Sequence, residues 1–287
     1  MIYQYSPPIQ PTITDLSYGE KSPLEKLDLY LPAQQRRLAP VVDLYLPAQQ
    51  GSLAPVVIWI HGGGFRVGDK HSMPRRNFGP APKPAGRMGP YQIQVPDVAA
   101  LTAKGYAVVS LNYRLAASMP EGAVAAIQDG KAAVRFLRAN AARYHLDPGK
   151  FAVWGNSAGG YMAAMLGATG DQPTIFDDPS LGNADVSSAV QAVVVWYGAE
   201  DRFFNLELHI DHYLPTAKSL PAFKIANGDA DLVISPVQAQ RLQDALTKAG
   251  ATSTLTILHG AGHEDPAYMK TQMIPTFEFL DKTFGRK

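Results

Sequence analysis

Few residues in this chain combine the type and the setting needed to make a nucleophile. Ser157 stands out within Gly155-Asn156-Ser157-Ala158-Gly159-Gly160. The apolar run Phe151-Ala152-Val153-Trp154 precedes it, and the small-residue run Tyr161-Met162-Ala163-Ala164-Met165-Leu166 follows. The pattern reads as strand, sharp turn, helix. A serine at such a turn takes a strained backbone conformation, and the flanking glycines let the chain bend without a Cβ clash. The hydroxyl is lifted clear of the sheet and sits at a helix N-terminus, where partial positive charge favours a developing anion. A serine hydroxyl needs a base, and the base needs an orienting acid. Two histidines follow the strand-like stretch 253–258, His259 and His263. Two carboxylates follow the strand-like stretch 222–226, Asp229 and Asp231, and Asp201 follows another at 190–196. In His61-Gly62-Gly63-Gly64-Phe65, after the apolar run 56–60, three glycines leave backbone N–H groups free to point at a ligand. The chemistry these groups suit is acyl transfer.

The elements that must position them alternate. Strand-like stretches lie at 56–60, 106–111, 151–154, 190–196, 222–226 and 253–258. Helical patterns lie at 97–104, 121–144, 236–248 and 265–284, the longest with Ile127, Val134, Leu137 and Ala141 on one face. Every nominated group falls just after a strand. That puts them all on one edge of a mostly parallel sheet, where sites form in such folds.

Taken together, these stretches resemble the α/β-hydrolase superfamily. Within it they are most similar to the HGGG esterases, the hormone-sensitive-lipase family and its feruloyl-esterase-like relatives. The likeness runs from about residue 24 to the end of the chain, with motifs in the superfamily's order of Ser, acid, His. It implies an α/β-hydrolase fold, with a mostly parallel central sheet flanked by helices and a short cap region. It implies an oxyanion hole formed by the N–H groups of Gly63, Gly64 and Ala158. The family pattern H-G-x-x-D-x-x-V selects Asp231 as the acid, and Asp229 then reads as a turn carboxylate bonding its own backbone. The pattern G-x-G-H selects His263 as the base and leaves His259 a structural role. Arg114 and Asp129 match family positions that anchor the interior. The chain departs from the family at Asn227, where a histidine is usual, and at Asn156, where an acid is usual.

The activity implied is a serine carboxylesterase acting on short-acyl esters through Ser157, His263 and Asp231, with no cofactor and no metal. Feruloyl or acetylxylan esters and aryl formamides are the other substrates the family suggests. Some of its relatives are ligand-binding receptors that have lost the histidine, whereas His263 is present here. Aromatic candidates for lining the substrate pocket are Phe65, Tyr161, Trp196, Tyr197, Phe203 and Phe204, each of which reads equally well as core. His209 and His212 invite a metal reading, but spacing nominates no third ligand.

The remaining features bound the protein. Its 287 residues, 46% apolar, suffice for a single α/β domain over 1–287. A net charge of +1 points to no nucleic-acid partner, and the absence of cysteine excludes disulfides. With no leader-like start and no membrane-spanning run, a cytoplasmic protein acting on a small-molecule ester is the expectation. Residues 28–57 hold a tandem duplication. Asp-Leu-Tyr-Leu-Pro-Ala-Gln-Gln at 28–35 recurs at 43–50, and Leu-Ala-Pro-Val-Val at 38–42 recurs at 53–57. Both copies alternate in the same way, so both suit one place in the sheet. The copy left over is either an inert loop or an extra edge strand, and an extra edge would favour a homodimer. The aperiodic stretch 67–96 leaves the glycine loop and is expected to wall the pocket. The segment 198–221 is too short for a multi-helix cap.

Overall fold

A computed structural model describes residues 3–7, 9–32, 52–70, 96–170, 172–198 and 205–286. Sequence periodicity accounts for its layers. Strands β1 (Ile13–Ser17), β2 (Lys26–Tyr30) and β3 (Ala54–Ile60) come first. Helix α1 (Val98–Ala103), strand β4 (Ala107–Leu111), helix α2 (Met119–Ala139) and the single turn α3 (Ala141–Tyr144) follow. Then come β5 (Leu146–Asn156), α4 (Ala158–Thr169), β6 (Ala192–Trp196) and β7 (Ala222–Gly228). The chain closes with α5 (Pro236–Lys248), β8 (Ser253–Leu258) and α6 (Pro266–Thr283).

The eight strands form one sheet in the order β1-β2-β4-β3-β5-β6-β7-β8. β1–β2 and β2–β4 pair antiparallel, and every other neighbour pairs parallel. Covering on both faces explains the unbroken apolar runs. In β3 all seven residues are buried. Val56, Ile58 and Ile60 join the core under α2, α4 and α5, while Val57 and Trp59 join the core under α1 and α6. Truncating such a side chain to alanine costs roughly 2–5 kcal/mol, so these strands are fixed in register by burial alone.

The first copy of the duplicated segment fills the place between β1 and β4. Leu29 faces Val109 and Ile13, and Asp28, fully buried, accepts from Lys70 Nζ at 2.7 Å. Residues 43–50 of the second copy and most of 67–96 lie outside the described residues. Arg114 and Asp129 make the interior anchor expected of them. Asp129 accepts from Arg114 N at 2.7 Å and from Nε at 2.8 Å. Burial pushes the Asp129 carboxyl up to about 6, against the opposing pull of Arg114.

Candidate active site

Ser157 stands where β5 turns into α4, with φ 53° and ψ −122°, a backbone region that side chains rarely occupy. Three glycines allow it. A Cβ on Gly155 would lie 2.0 Å from the Gly159 carbonyl oxygen, and one on Gly159 would lie 2.2 Å from that of Ile60. On Gly160 it would meet the Trp196 carbonyl oxygen at 3.0 Å. The turn is therefore pressed against β3 and β6 and cannot relax. Ser157 N donates to Trp196 O at 3.0 Å, which fixes the turn to β6. Ala158 opens α4, so its N–H has no acceptor within the helix.

The structure brings Asp231 and His263 to this hydroxyl. The Ser157 hydroxyl lies 3.0 Å from His263 Nε2, and His263 Nδ1 lies 2.8 Å from Asp231 Oδ2. A carboxylate only accepts, so Nδ1 carries the proton and Nε2 faces the serine as acceptor. Asp231 Oδ1 accepts from the N–H groups of Val233 and Ile234, both at 2.8 Å. The Asp231 side chain is fully buried, and that of His263 is 8% exposed. Asp229 does not reach His263. Its carboxylate pairs with His259 at 2.7 Å, and Asp201 lies outside the described residues.

The glycine loop lies directly against Ser157. A Cβ on Gly62 would sit 3.1 Å from Ser157 Cβ. Gly63 has φ 115°, and a Cβ there would meet the Val67 carbonyl oxygen at 2.0 Å. Gly63 O accepts from Arg66 N and Val67 N, both at 3.2 Å, which curls the loop back on itself. His61 pins its base. Its ring stacks on Tyr113 with centroids 4.4 Å apart, and Nδ1 donates to Gly62 O at 2.7 Å. Burial lowers the His61 pKa to about 4, so this histidine is neutral near pH 7.

The aromatic candidates occupy other places. Phe65, Tyr161, Trp196 and Tyr197 are each no more than 2% exposed. Trp196 faces the α1–α6 side, edge-on to Trp154. Phe65 and Tyr161 pack edge to face on the other side, and the Tyr161 hydroxyl donates to Leu208 O at 2.6 Å, tying down the segment after β6. Tyr197 backs the imidazole of His263, edge-on at 4.8 Å, and its hydroxyl accepts from Asn156 Nδ2 at 2.9 Å. These four are core rather than open pocket lining, because aromatic rings beside a buried parallel sheet are drawn into its two cores. Phe203 and Phe204 lie outside the described residues. The segment after them forms three short 3₁₀ turns, Leu206–Leu208, Ile210–His212 and Leu214–Thr216. Among the described residues no group of three or more His, Asp or Glu side chains is placed to hold a metal ion.

Motif spacing does not point to two neighbours of the site. One is Tyr197, with φ 39°. The other is Glu264, with φ 60°, whose carboxyl is pushed up by burial, lowered by His263 and raised again by Asp231. Sequence marks Tyr197 as an aromatic candidate and Glu264 as the neighbour of a candidate histidine, but not their places beside the imidazole.

The chain has an α/β-hydrolase fold and resembles the esterases that share it. The family model BD-FAE matches residues 87–212. The chain is 25% identical over 249 residues to Esterase LipQ of Mycobacterium tuberculosis, covering 70% of this chain and 57% of that protein. It is 29% identical over 244 residues to Carboxylesterase NlhH of the same organism, covering 71% of this chain and 65% of that one. The chain thus spans less than two thirds of the length of either relative. Among solved structures, a truncated carbohydrate esterase from gut microbiota superposes with a TM-score of 0.70 at 24% identity, covering 94% of this chain and 95% of that one. Esterase 2 of Thermogutta terrifontis superposes with a TM-score of 0.69 at 19% identity, covering 93% and 91%. No helix among the described residues is long and apolar enough to cross a membrane.

Proposed function

We propose that this chain is a carboxylic ester hydrolase working through Ser157, His263 and Asp231. The observation that carries the reading is the continuous chain from the Ser157 hydroxyl to His263 at 3.0 Å and on to Asp231 at 2.8 Å, set at the start of α4. Its similarity to proteins named esterase and carboxylesterase supports the same reaction. His263 Nε2 takes the serine proton as Oγ bonds to the acyl carbon. Asp231 holds Nδ1–H and stabilises the imidazolium. The N–H groups of Gly63, Gly64 and Ala158 receive the oxyanion, and losing one such donor costs on the order of 3 kcal/mol of transition-state stabilisation. The imidazolium then protonates the leaving alkoxide, and the alcohol departs. Water, deprotonated by the same histidine, attacks the acyl-enzyme and releases the acid.

Short acyl chains are the favoured substrates, because the described residues after β6 build three short 3₁₀ turns, with no long apolar lid among them. Esters carried on carbohydrate form the second reading, which the likeness to a carbohydrate esterase favours. Hydrolysis of p-nitrophenyl esters from two to twelve acyl carbons, by the parent and by Ser157→Ala, tests the reading. Turnover of the short esters, lost by about 10⁴-fold or more in the variant, is expected. A folded parent that turns over no ester in the series, nor acetylated or feruloylated sugar, overturns it.

A further inference from the structure

The base and its acid arrive on neighbouring strands, and one of these has a weak hold on the sheet. β8 is the last strand in the order, and among the described residues β7 is its sole neighbour. His263 therefore leaves from an edge, five residues beyond Leu258, the last residue of β8. Its imidazole must nevertheless keep to within about 0.5 Å of its place between Asp231 and Ser157.

The loops after β7 and β8 run side by side. Asp229 N donates to Leu258 O at 3.1 Å, and Ala230 N donates to Ala261 O at 3.0 Å. The approach is close enough that a Cβ on Gly228 would lie 2.0 Å from Ala261 O. One carboxylate closes the join. Asp229 Oδ1 accepts from Gly260 N at 2.7 Å, and Oδ2 accepts from His259 Nδ1 at 2.7 Å. His259 and the Gly260 N–H hold the Asp229 carboxyl below the usual carboxylate range. The His259 side chain is 98% exposed, so packing does not hold it there. Its tie is to Asp229.

We propose that Asp229 and His259 are positioning residues, a clamp across the two loops that sets His263 against Asp231. The proposal rests on the hydrolytic reading given above. Asp229 fixes the start of the loop that ends in His263, while Asp231, two residues further on, receives the imidazole. The two acids share one loop, and each binds a histidine of the other. An exposed hydrogen-bonded contact of this kind contributes little to global stability. Removing the clamp therefore loosens the base without unfolding the protein, and this separates it from a merely structural contact.

The test uses Asp229→Ala, Asp229→Asn and His259→Asn, the last placing an amide nitrogen where Nδ1 stood. Steady-state kinetics on p-nitrophenyl acetate, thermal unfolding and amide hydrogen exchange across 258–263 are measured together. Asp229→Ala should lower kcat by about 10- to 100-fold with KM within about twofold of the parent, since misplacement of a catalytic group acts on the chemical step. Its Gly260 amide should exchange faster, and its unfolding midpoint should stay near the parent's. Asp229→Asn should fall between the two, and His259→Asn should keep most of the activity. Parental kcat in Asp229→Ala, a loss carried by KM, or a loss that tracks a large fall in the unfolding midpoint overturns the clamp. If the parent hydrolyses no ester, the hydrolytic reading fails by itself. Hydrogen exchange then decides the clamp, and unchanged protection at Gly260 in Asp229→Ala overturns it.

Discussion

His61 gives the protein an acid sensitivity whose size follows from its surroundings. The ring is 1% exposed, stacked on Tyr113, with Nδ1 donating to Gly62 O. Burial holds its pKa at about 4, against an ordinary value of 6.5, with the Gly62 carbonyl and Asp69 opposing the drop. Below 6.5 the unfolded chain takes up a proton that the folded chain refuses, so stability falls as pH falls. The loss runs through the window between 6.5 and about 4 and is complete once both states are protonated. At about 1.4 kcal/mol per pH unit, the full loss is ~3 kcal/mol. Asp129 works in the opposite sense. Its folded pKa of about 6 lies above its ordinary value, so it adds stability as pH drops below 6. The measurement must therefore be a difference. His61→Asn keeps a nitrogen near the Nδ1 position for Gly62 O and removes the titration. Urea unfolding of parent and variant in steps from pH 7.5 to pH 4 should show the parent's advantage shrinking by ~3 kcal/mol. A difference constant to within about 1 kcal/mol over that range refutes the reasoning.

Three further outcomes are expected. Asp231→Asn should keep the fold yet lower ester turnover by about 10⁴-fold, because the amide favours the wrong tautomer of His263; steady-state kinetics beside circular dichroism check it. Gly63→Ala should destabilise the chain by ~1–3 kcal/mol and abolish most turnover, because a Cβ at φ 115° would meet the Val67 carbonyl; thermal unfolding and kinetics read both effects. Leu29→Asp should unfold a chain from which residues 33–47 have been deleted and leave the undeleted chain folded, as judged by its unfolding midpoint. Equal damage in the two backgrounds would mean that the second copy cannot take the place of the first.

Much of this molecule is legible in its sequence because parallel strands and glycine turns write themselves locally. The run at 54–60 is apolar throughout since both its faces are covered, and Gly155, Gly159 and Gly160 sit where carbonyls of neighbouring segments leave no room for a Cβ. Ser157, Asp231 and His263 could each be nominated because each follows a strand. What the sequence hides is contact across loops. The partnership of Asp229 with His259 joins residues 30 apart through two turns, and no spacing rule reports it. The aromatic residues mislead for a related reason. Composition says that Trp196 and Tyr161 are large and aromatic, but the pleat of β6 and the inner face of α4 decide which core receives them.

The place of β2 in the sheet has a consequence for the chain's history. Residues 28–32 fill it, and residues 43–47 repeat them, Asp-Leu-Tyr-Leu-Pro in both cases. Excision of 28–42 and excision of 33–47 leave one and the same sequence, with Gly51-Ser52 kept, whereas excision of 43–57 keeps Arg36-Arg37 instead, and the strand residues Asp-Leu-Tyr-Leu-Pro survive in every case. While both persist, selection sees the pair rather than either member. Where residues 43–47 take the place of 28–32, as the Leu29→Asp comparison tests, a lesion in the strand that carries Asp28 to Lys70 is tolerated that a chain with one copy would not survive. The oldest differences between the copies should then lie outside the shared strand residues, where they now stand, at Arg36-Arg37 against Gly51-Ser52.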